Sequence, residues 1–509
     1  MNKEYTIIYM TAARHTRKKS GLPRCKNGTR RNKKTGKCVK YSRVTASKAV
    51  SQLFEQSPAT QQSNYLSAIC SDSNFCTTFG LETDRLATFF QFPGFEYVIG
   101  MRQIAHGYNG FVNELIYEKR GYKINTILKT PLNNSIEIDN MYYEGYIGFK
   151  YINKFAMQFP CFLKTLGIYQ YLYKPDFLDI NTIANDDPNT YVDLIKQLRD
   201  GAILTPIIIK PGEEYNAAFS CINRRNFALL IEYVDRPIKF YHFFSRIVST
   251  AADVFCELPQ IFFQIYAVLA TLADKRLFTH YDLHDENILL YPIPNGRTIT
   301  MTYTNAVGGN TITFNTRYVV KIVDYGRCFV PESAAIRKKI CVERACAPNC
   351  GADYGYIKIL SDKSANEQNK YIHSATFNQS IDLKVVSKQR PWFRAFVRTP
   401  AAKAAGITLD SAYFKLLQKV VYMGKNGVPH SAIKTPAATK FHFTGTRDIA
   451  HIPDIWTVQE MYWALFYYLQ CKEYLSAYTA LTEIPSAGAI ICDLKYSKRP
   501  LVFTFENKS

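Results

Sequence analysis

Residues 279–290 read THYDLHDENILL and residues 318–326 read YVVKIVDYG. Each joins a short polar segment to an apolar strand pattern, so each sets acidic side chains at the end of a buried element. Asp282 stands on a tight stretch between a helical pattern and the apolar run ILLY, where a carboxylate projects from a loop. Asn287 follows five residues later, and Asp324 closes the second strand where Tyr325-Gly326 turns the backbone. An Asp, an Asn and an Asp in this order offer a carboxylate to orient an attacking hydroxyl and oxygen ligands for a hard cation. Phosphoryl transfer needs that combination, because the protein contributes mainly positioning and charge neutralisation.

The chain has 509 residues, 47% of them hydrophobic and 14% aromatic, which predicts that most of it folds. Its net charge of +21 is unevenly placed: residues 1–44 hold 14 Lys or Arg against one acid, Glu4, so 13 of the surplus charges lie there. That stretch reads as a basic flexible arm, either simply solvated or able to bind nucleic acid or another acidic partner, and no regular structure is required of it. Cys25 and Cys38 bracket its most basic part; two cysteines alone cannot build a tetrahedral zinc site, and a redox-labile clip is equally compatible. The short apolar run 5–10 lacks the features of a secretory signal, so an intracellular location is expected. Residues 261–273 are too few for a membrane span and are interrupted by Gln264, so they are read as a buried helix. Thirteen cysteines in a reducing compartment are expected to be thiols or metal ligands rather than disulfides.

Outward from the two acidic motifs, the pattern divides. Residues 45–95 form an accessory segment in which TDRLATFFQF reads as a short amphipathic helix. Between 96 and 235 strands dominate, with a hairpin turning at Lys119-Arg120-Gly121, a helix from about 140 to 159, and the apolar strand NFALLIEYV. Pro, Asn and Asp clusters mark 174–226 as an insertion. From 236 to 509 helical spacing dominates, interrupted by an extra hairpin within 291–318 that turns at Gly308-Gly309-Asn310. TVQEMYWALFYYLQ predicts a further helix.

HYDLHDEN and DYG resemble the catalytic and magnesium-binding loops of the protein-kinase-like superfamily. Upstream segments extend the resemblance. IAHGYNGFV resembles the glycine-rich phosphate loop, with Ala105 at the first glycine position and Gly107, Gly110 and Val112 retained. TILKT places Lys129 where the family's lysine grips nucleotide phosphates, and Glu144 falls 15 residues later on the predicted helix, where it could pair with that lysine. LLIEYV resembles the hinge, whose backbone groups from Glu232 to Val234 would hydrogen-bond an adenine ring. Asp382 in NQSIDLKVV resembles the buried aspartate that supports the catalytic loop, and His280 reads as a packed scaffold histidine.

The resemblance covers about residues 97–386. It implies an α+β, bilobal protein-kinase-like fold, with a strand-rich small lobe and a helical large lobe, carrying the basic arm and the insertions. It also implies ATP and Mg²⁺ as ligands, Asp282 as base, Lys129 and Glu144 as its catalytic partners, and Asn287 and Asp324 as metal ligands. Arm composition and residue usage are similar to putative serine/threonine protein kinases of large DNA viruses. That similarity implies protein hydroxyls as acceptors and a place in host cytoplasm, viral factory or virion.

Departures from the family pattern keep other readings open. Tyr281 replaces the arginine before the catalytic aspartate, so a phosphorylated loop has no such arginine to dock against. His284 stands where protein kinases commonly carry lysine, and no APE-like sequence follows Asp324. A nucleotide-binding pseudokinase or virion scaffold is the alternative, and a small-molecule kinase the third reading. Cys328, Cys341, Cys346 and Cys350 could ligate zinc, yet their gaps of 12, 4 and 3 residues do not repeat the tight pairs of zinc ribbons, and buried free thiols fit better.

Overall fold

The structure, a computed structural model, describes residues 29–31, 38–40, 70, 74–76, 81–106, 110–131, 141–156, 159–172, 188–216, 219–220, 223, 226–243, 253–276, 278–293, 298–305, 310–332, 356–359, 370–373, 377–404, 406–420, 454–470 and 490–496. The chain divides into two units, Met1–Ser67 and Ala68–Ser509. In the first, β1 (Thr29–Arg31) and β2 (Cys38–Lys40) form an antiparallel hairpin with Arg30 opposite Val39 and Arg31 opposite Cys38. The basic stretch thus contains a short antiparallel strand pair between residues 29–31 and 38–40. Cys25 lies outside the described residues.

The division between the units falls after Ser67, so the later part of the segment 45–95 belongs to the second unit. Cys76 N–H donates to Lys123 O at 2.8 Å and Lys123 N–H to Asn74 O at 2.9 Å. Helix α1 (Leu81–Phe90) sets the Phe89 ring edge-on to Tyr122. Cys70 and Cys76 form a disulfide, against the expectation of thiols; an isolated antiparallel bridge between them brings their Cα atoms to 4.0 Å. Cys161, Cys256 and Cys328 are free thiols.

The strand-rich part is one antiparallel sheet of β3 (Val98–His106), β4 (Gly110–Lys119), β5 (Tyr122–Pro131), β6 (Thr165–Tyr171), β7 (Leu204–Pro206) and β8 (Phe227–Glu232), in the order β3-β4-β5-β8-β6-β7. Arg120 (φ 52°) and Gly121 (φ 79°) make the tight β4–β5 turn at the expected place; two successive positive φ values match the twist of a hairpin. Helix α2 (Met141–Ile147) continues through a π-helical turn (Gly148–Ile152) into Asn153–Ala156, close to the expected bounds. The insertion 174–226 is not a mere appendage: it supplies helix α3 (Pro188–Arg199) and the edge strand β7.

Beyond β9 (Ile238–Lys239), a π-helical turn (Asp253–Glu257) leads into α4 (Leu258–Arg276), whose face carries Ile261, Phe262, Ile265, Tyr266 and Leu269 in the core. The span Asp253–Asp274 is long and apolar enough to cross a membrane, but 83% of its most apolar window is buried inside the protein, as in a core helix. Gln264 is polar there for a reason: its amide donates to Tyr318 O at 3.0 Å and accepts from Val320 N–H at 2.9 Å. It thus satisfies the open side of β13 (Tyr318–Ile322), a strand paired antiparallel on its other side with β10 (Ile288–Pro292).

Between these two strands, β11 (Ile299–Asn305) and β12 (Thr311–Thr316) form the expected extra hairpin, with Gly308 and Gly309 outside the described residues. A short pair comes next, β14 (Tyr356–Ile359) with β15 (Lys370–His373). A third strand on β11 comes from β16 (Ile490–Tyr496), pairing from Ile299–Tyr496 to Asn305–Ile490. The expected helix in the last third is α5 (Val458–Gln470), which packs aromatic rings on α4 through Phe263, Tyr462 and Phe466. Antiparallel sheets and helices in separate stretches of chain make the protein α+β.

Candidate active site

Two loops meet because two strands pair. The β10–β13 register sets Ile288 opposite Ile322, and the ladder continues as Val323 N–H donates to Asn287 O at 3.1 Å. At the far end Thr279 and Phe329 exchange backbone hydrogen bonds of 3.2 and 2.7 Å. Residues 279–287 and 323–329 are therefore clamped at both ends, with Asp282 and Asp324 between the clamps.

The first loop hangs on Asp382. One carboxylate oxygen accepts from His280 N–H at 2.7 Å and the other from Tyr281 N–H at 2.9 Å. Asp382 is buried in a 3₁₀ turn, Ile381–Leu383. Burial pushes its carboxyl up to about 7, against the two amides, which favour the ionised form. Asp382 thus holds the backbone of residues 280 and 281 through two hydrogen bonds. It also explains how Tyr281 is held at φ 65°, a left-handed conformation that costs a bulky residue about 1–3 kcal/mol. His280 is buried, its Nε2 lies 3.1 Å from Val323 O, and burial lowers its pKa, so a neutral imidazole ties the two loops together as expected of a scaffold histidine.

Asn287 Nδ2 donates to Asp282 O at 2.9 Å, which leaves its Oδ1 without a partner among the described residues. Asp324 also sits at positive φ, 67°, where Tyr325 is anchored by hydrogen bonds from its hydroxyl to Ile322 O (2.7 Å) and Leu163 O (3.4 Å). Burial raises the Asp324 carboxyl, but Lys129 in particular, then His280, the Gly326 amide and Arg327, bring it below the ordinary aspartate value. With 40% of the side chain exposed, the attractive charges decide the sign.

Lys129 projects from β5 and Glu144 from α2. Their ion pair measures 2.6 Å, and Lys129 Nζ lies 3.7 Å from Asp324 Oδ1. The pairing expected from the sequence is present, and Lys129 links the sheet, the helix and the second loop. Gly145 favours this approach: a Cβ there would lie 2.6 Å from Leu229 Cδ2 and 2.7 Å from Ile168 Cδ1, so any larger residue would have to displace these side chains from between α2 and the sheet. Tyr143, which no sequence pattern marks out, donates from its hydroxyl to Cys328 O at 2.7 Å and fastens the same helix to the second loop.

Other expected nucleotide residues divide. Gly107 lies outside the described residues. Gly110 opens β4, where a Cβ would sit 2.2 Å from the Thr130 carbonyl oxygen, so the sheet itself requires this glycine, whatever binds nearby. Val112 is the cross-strand partner of both Ala105 and Lys129, which places it on the sheet directly beside the lysine. The Glu232 amide donates to Lys164 O at 2.9 Å, and its buried carboxylate accepts from Lys164 N–H at 3.1 Å and lies 3.5 Å from Lys321 Nζ. Val234 differs, since neither its amide nor its carbonyl has a partner among the described residues.

Asp282 faces two side chains. His284 Nε2 is 3.9 Å from Oδ1, and Arg327 Nε is 3.7 Å from Oδ2. His284 Nδ1 accepts from Glu286 N–H at 3.2 Å, which leaves the proton of a neutral ring on Nε2, toward Asp282. Nothing in the sequence flags Arg327, because one arginine after a turn looks like an ordinary surface charge.

A magnesium ion fits the donor set: Asp324 supplies a carboxylate and Asn287 a neutral oxygen, and Mg²⁺ is commonly held by one or two such groups together with substrate phosphates. Among the described residues no group of three His, Cys, Asp or Glu side chains could hold a metal alone. Of the cysteines considered for zinc, Cys328 is a buried thiol with its pKa raised by burial, and Cys341, Cys346 and Cys350 lie outside the described residues. No protein-family model matches this chain, and no curated protein matches it.

Proposed function

We propose that the protein is a divergent ATP-dependent phosphotransferase with a bilobal, protein-kinase-like fold, acting on serine or threonine hydroxyls of proteins. The observation that carries this reading is the convergence of Lys129, Glu144 and Asp324 on one side and Asp282 and Asn287 on the other, from separate stretches of chain. The antiparallel sheet and the helical part joined through Tyr233–Ile238 are consistent with two lobes around a nucleotide. Val234 offers the free backbone groups an adenine edge needs.

Asp282 accepts the proton of the acceptor hydroxyl as its oxygen forms a bond to the γ-phosphorus of ATP. The bond from that phosphorus to the β–γ bridging oxygen breaks, and ADP leaves with its electron pair. Lys129, held by Glu144, binds and orients the nucleotide phosphates. Magnesium, held by Asn287 and Asp324, would neutralise phosphate charge. Asp382 fixes the backbone at His280 and Tyr281, so that the base does not wander.

Purified protein with Mg²⁺-ATP and a mixed protein acceptor tests the reading. Phosphoryl transfer should fall about 100-fold or more in Asp282→Asn and Asp324→Ala. Wild-type transfer no greater than that of these variants would sink it. Nucleotide-dependent thermal stabilisation without turnover would instead favour a pseudokinase.

A further inference from the structure

The proposed transfer develops negative charge at the phosphorus end of the new bond, next to Asp282. Lys129 is committed elsewhere, between Glu144 at 2.6 Å and Asp324 at 3.7 Å. His284, at the position nearest in sequence to the base, offers one N–H from a ring whose other nitrogen is occupied by Glu286 N–H. What remains beside the base is Arg327.

Its position is determined by more than its own contacts. Cys328 N–H donates to Tyr325 O at 3.2 Å, Phe329 is bridged both ways to Thr279, and Cys328 O accepts from Tyr143. The backbone on either side of Arg327 is thus fixed, while the side chain keeps 36% exposure at the mouth between the loops. Among the described residues its one ion-pair partner is Asp282, met through Nε at 3.7 Å. Its two terminal NH₂ groups have no partner there. A guanidinium presents donors in a rigid fork that matches phosphate oxygens, and an arginine beside a carboxylate in an exposed rim contributes little stability of its own.

We infer that Arg327 is a further catalytic residue, which hands its free guanidinium edge to the oxygens of the phosphoryl group in flight and so supplies a fixed positive charge beside the base. The inference rests on the phosphotransferase reading above. In the transfer, Asp282 takes the hydroxyl proton, the acceptor oxygen bonds to the γ-phosphorus, ADP departs, and Arg327 donates hydrogen bonds to the non-bridging oxygens without gaining or losing a proton. Its ion pair with Asp282 holds both groups in register before substrate arrives.

The test uses full-length protein and three variants, Arg327→Gln, Arg327→Lys and Arg327→Ala, each checked for an unchanged melting temperature. Calorimetry measures affinity for Mg²⁺-ADP alone and for Mg²⁺-ADP with aluminium fluoride, a mimic of the phosphoryl group in flight. Arg327→Gln is expected to weaken the aluminium fluoride complex by about 100-fold while Mg²⁺-ADP alone changes by less than about threefold. Turnover should fall in kcat by a similar factor with KM for ATP nearly constant, Arg327→Lys should fall between, and added guanidinium should restore part of the kcat of Arg327→Ala. Equal loss of both affinities, or an unchanged aluminium fluoride complex, overturns the assignment. Should wild type bind the aluminium fluoride complex through Arg327 yet transfer nothing, the enzyme reading falls and the phosphate contact stands. If wild type binds neither complex, both fall.

Discussion

Glu144 feels two opposing effects. Burial raises its carboxyl pKa, the ammonium of Lys129 lowers it, and the nearby Asp324 raises it again, with the net direction upward. An ion pair under such opposition adds little to stability, since desolvation offsets most of the attraction. Glu144→Gln should nevertheless lower thermal stability by about 3 kcal/mol, because removing one partner of a largely buried pair leaves the Lys129 ammonium undercompensated, and should lower turnover at least about tenfold. Asp382 gives a pH-dependent prediction. Its folded carboxyl titrates at about 7, above the ordinary aspartate value of 3.8, so the folded protein holds this proton more tightly than the unfolded chain. Stability from this group is full below the unfolded value and is lost as pH rises through the window to about 7. Asp382→Asn should remove that component, so urea titrations across this window should show the decline in wild type and not in the variant. The variant should also be less stable near neutral pH by about 1–3 kcal/mol, because the new amide places a donor against a backbone N–H of His280 or Tyr281.

At the scale of elements, the distance between helix α2 and its sheet is set by glycine. Gly145→Val would drive two methyl groups into Leu229 and Ile168, and Gly148 faces Thr165 Oγ1 with a Cβ distance of 2.0 Å. A loss of about 1–3 kcal/mol is expected for Gly145→Val, measured by thermal unfolding, together with weaker nucleotide binding, because α2 carries the Glu144 that holds Lys129. This dependence is hidden in the sequence, where Gly145 looks like any glycine in a helix pattern. Asp282, Asn287 and Asp324 are legible because each sits beside an apolar strand a few residues away, so local pattern fixes their environment. Lys129 and Glu144 emerge from order and spacing along the chain, and the structure adds the contact. Arg327, Tyr143 and the disulfide Cys70–Cys76 are not legible, since their meaning comes from partners brought near by the folding of the chain. Gly110 stands out in the sequence by its place in a glycine pattern, and the fold adds a second reason for it, the close approach of the Thr130 carbonyl.

For the whole molecule, the least predictable feature is the way remote stretches complete one another. Residues 74–76 hydrogen-bond to Lys123 of β5, and the insertion lends the main sheet its edge. Strand β16 goes further, pairing along the entire length of β11 from a position far down the chain. Removing residues 490–496 should uncover seven residues of β11 backbone and give a protein that self-associates, read as higher-order species in size-exclusion chromatography beside monodisperse full-length protein. During synthesis the same arrangement imposes a wait. Strands β11 and β12 leave the ribosome with one flank unmatched, and the two loops at 279–287 and 323–329 are made just before and just after them. The strand that covers that flank emerges only once the helices and the intervening chain have been made. Until then the open flank of β11 is exposed to pairing with other strands, an aggregation hazard that ends only when β16 docks.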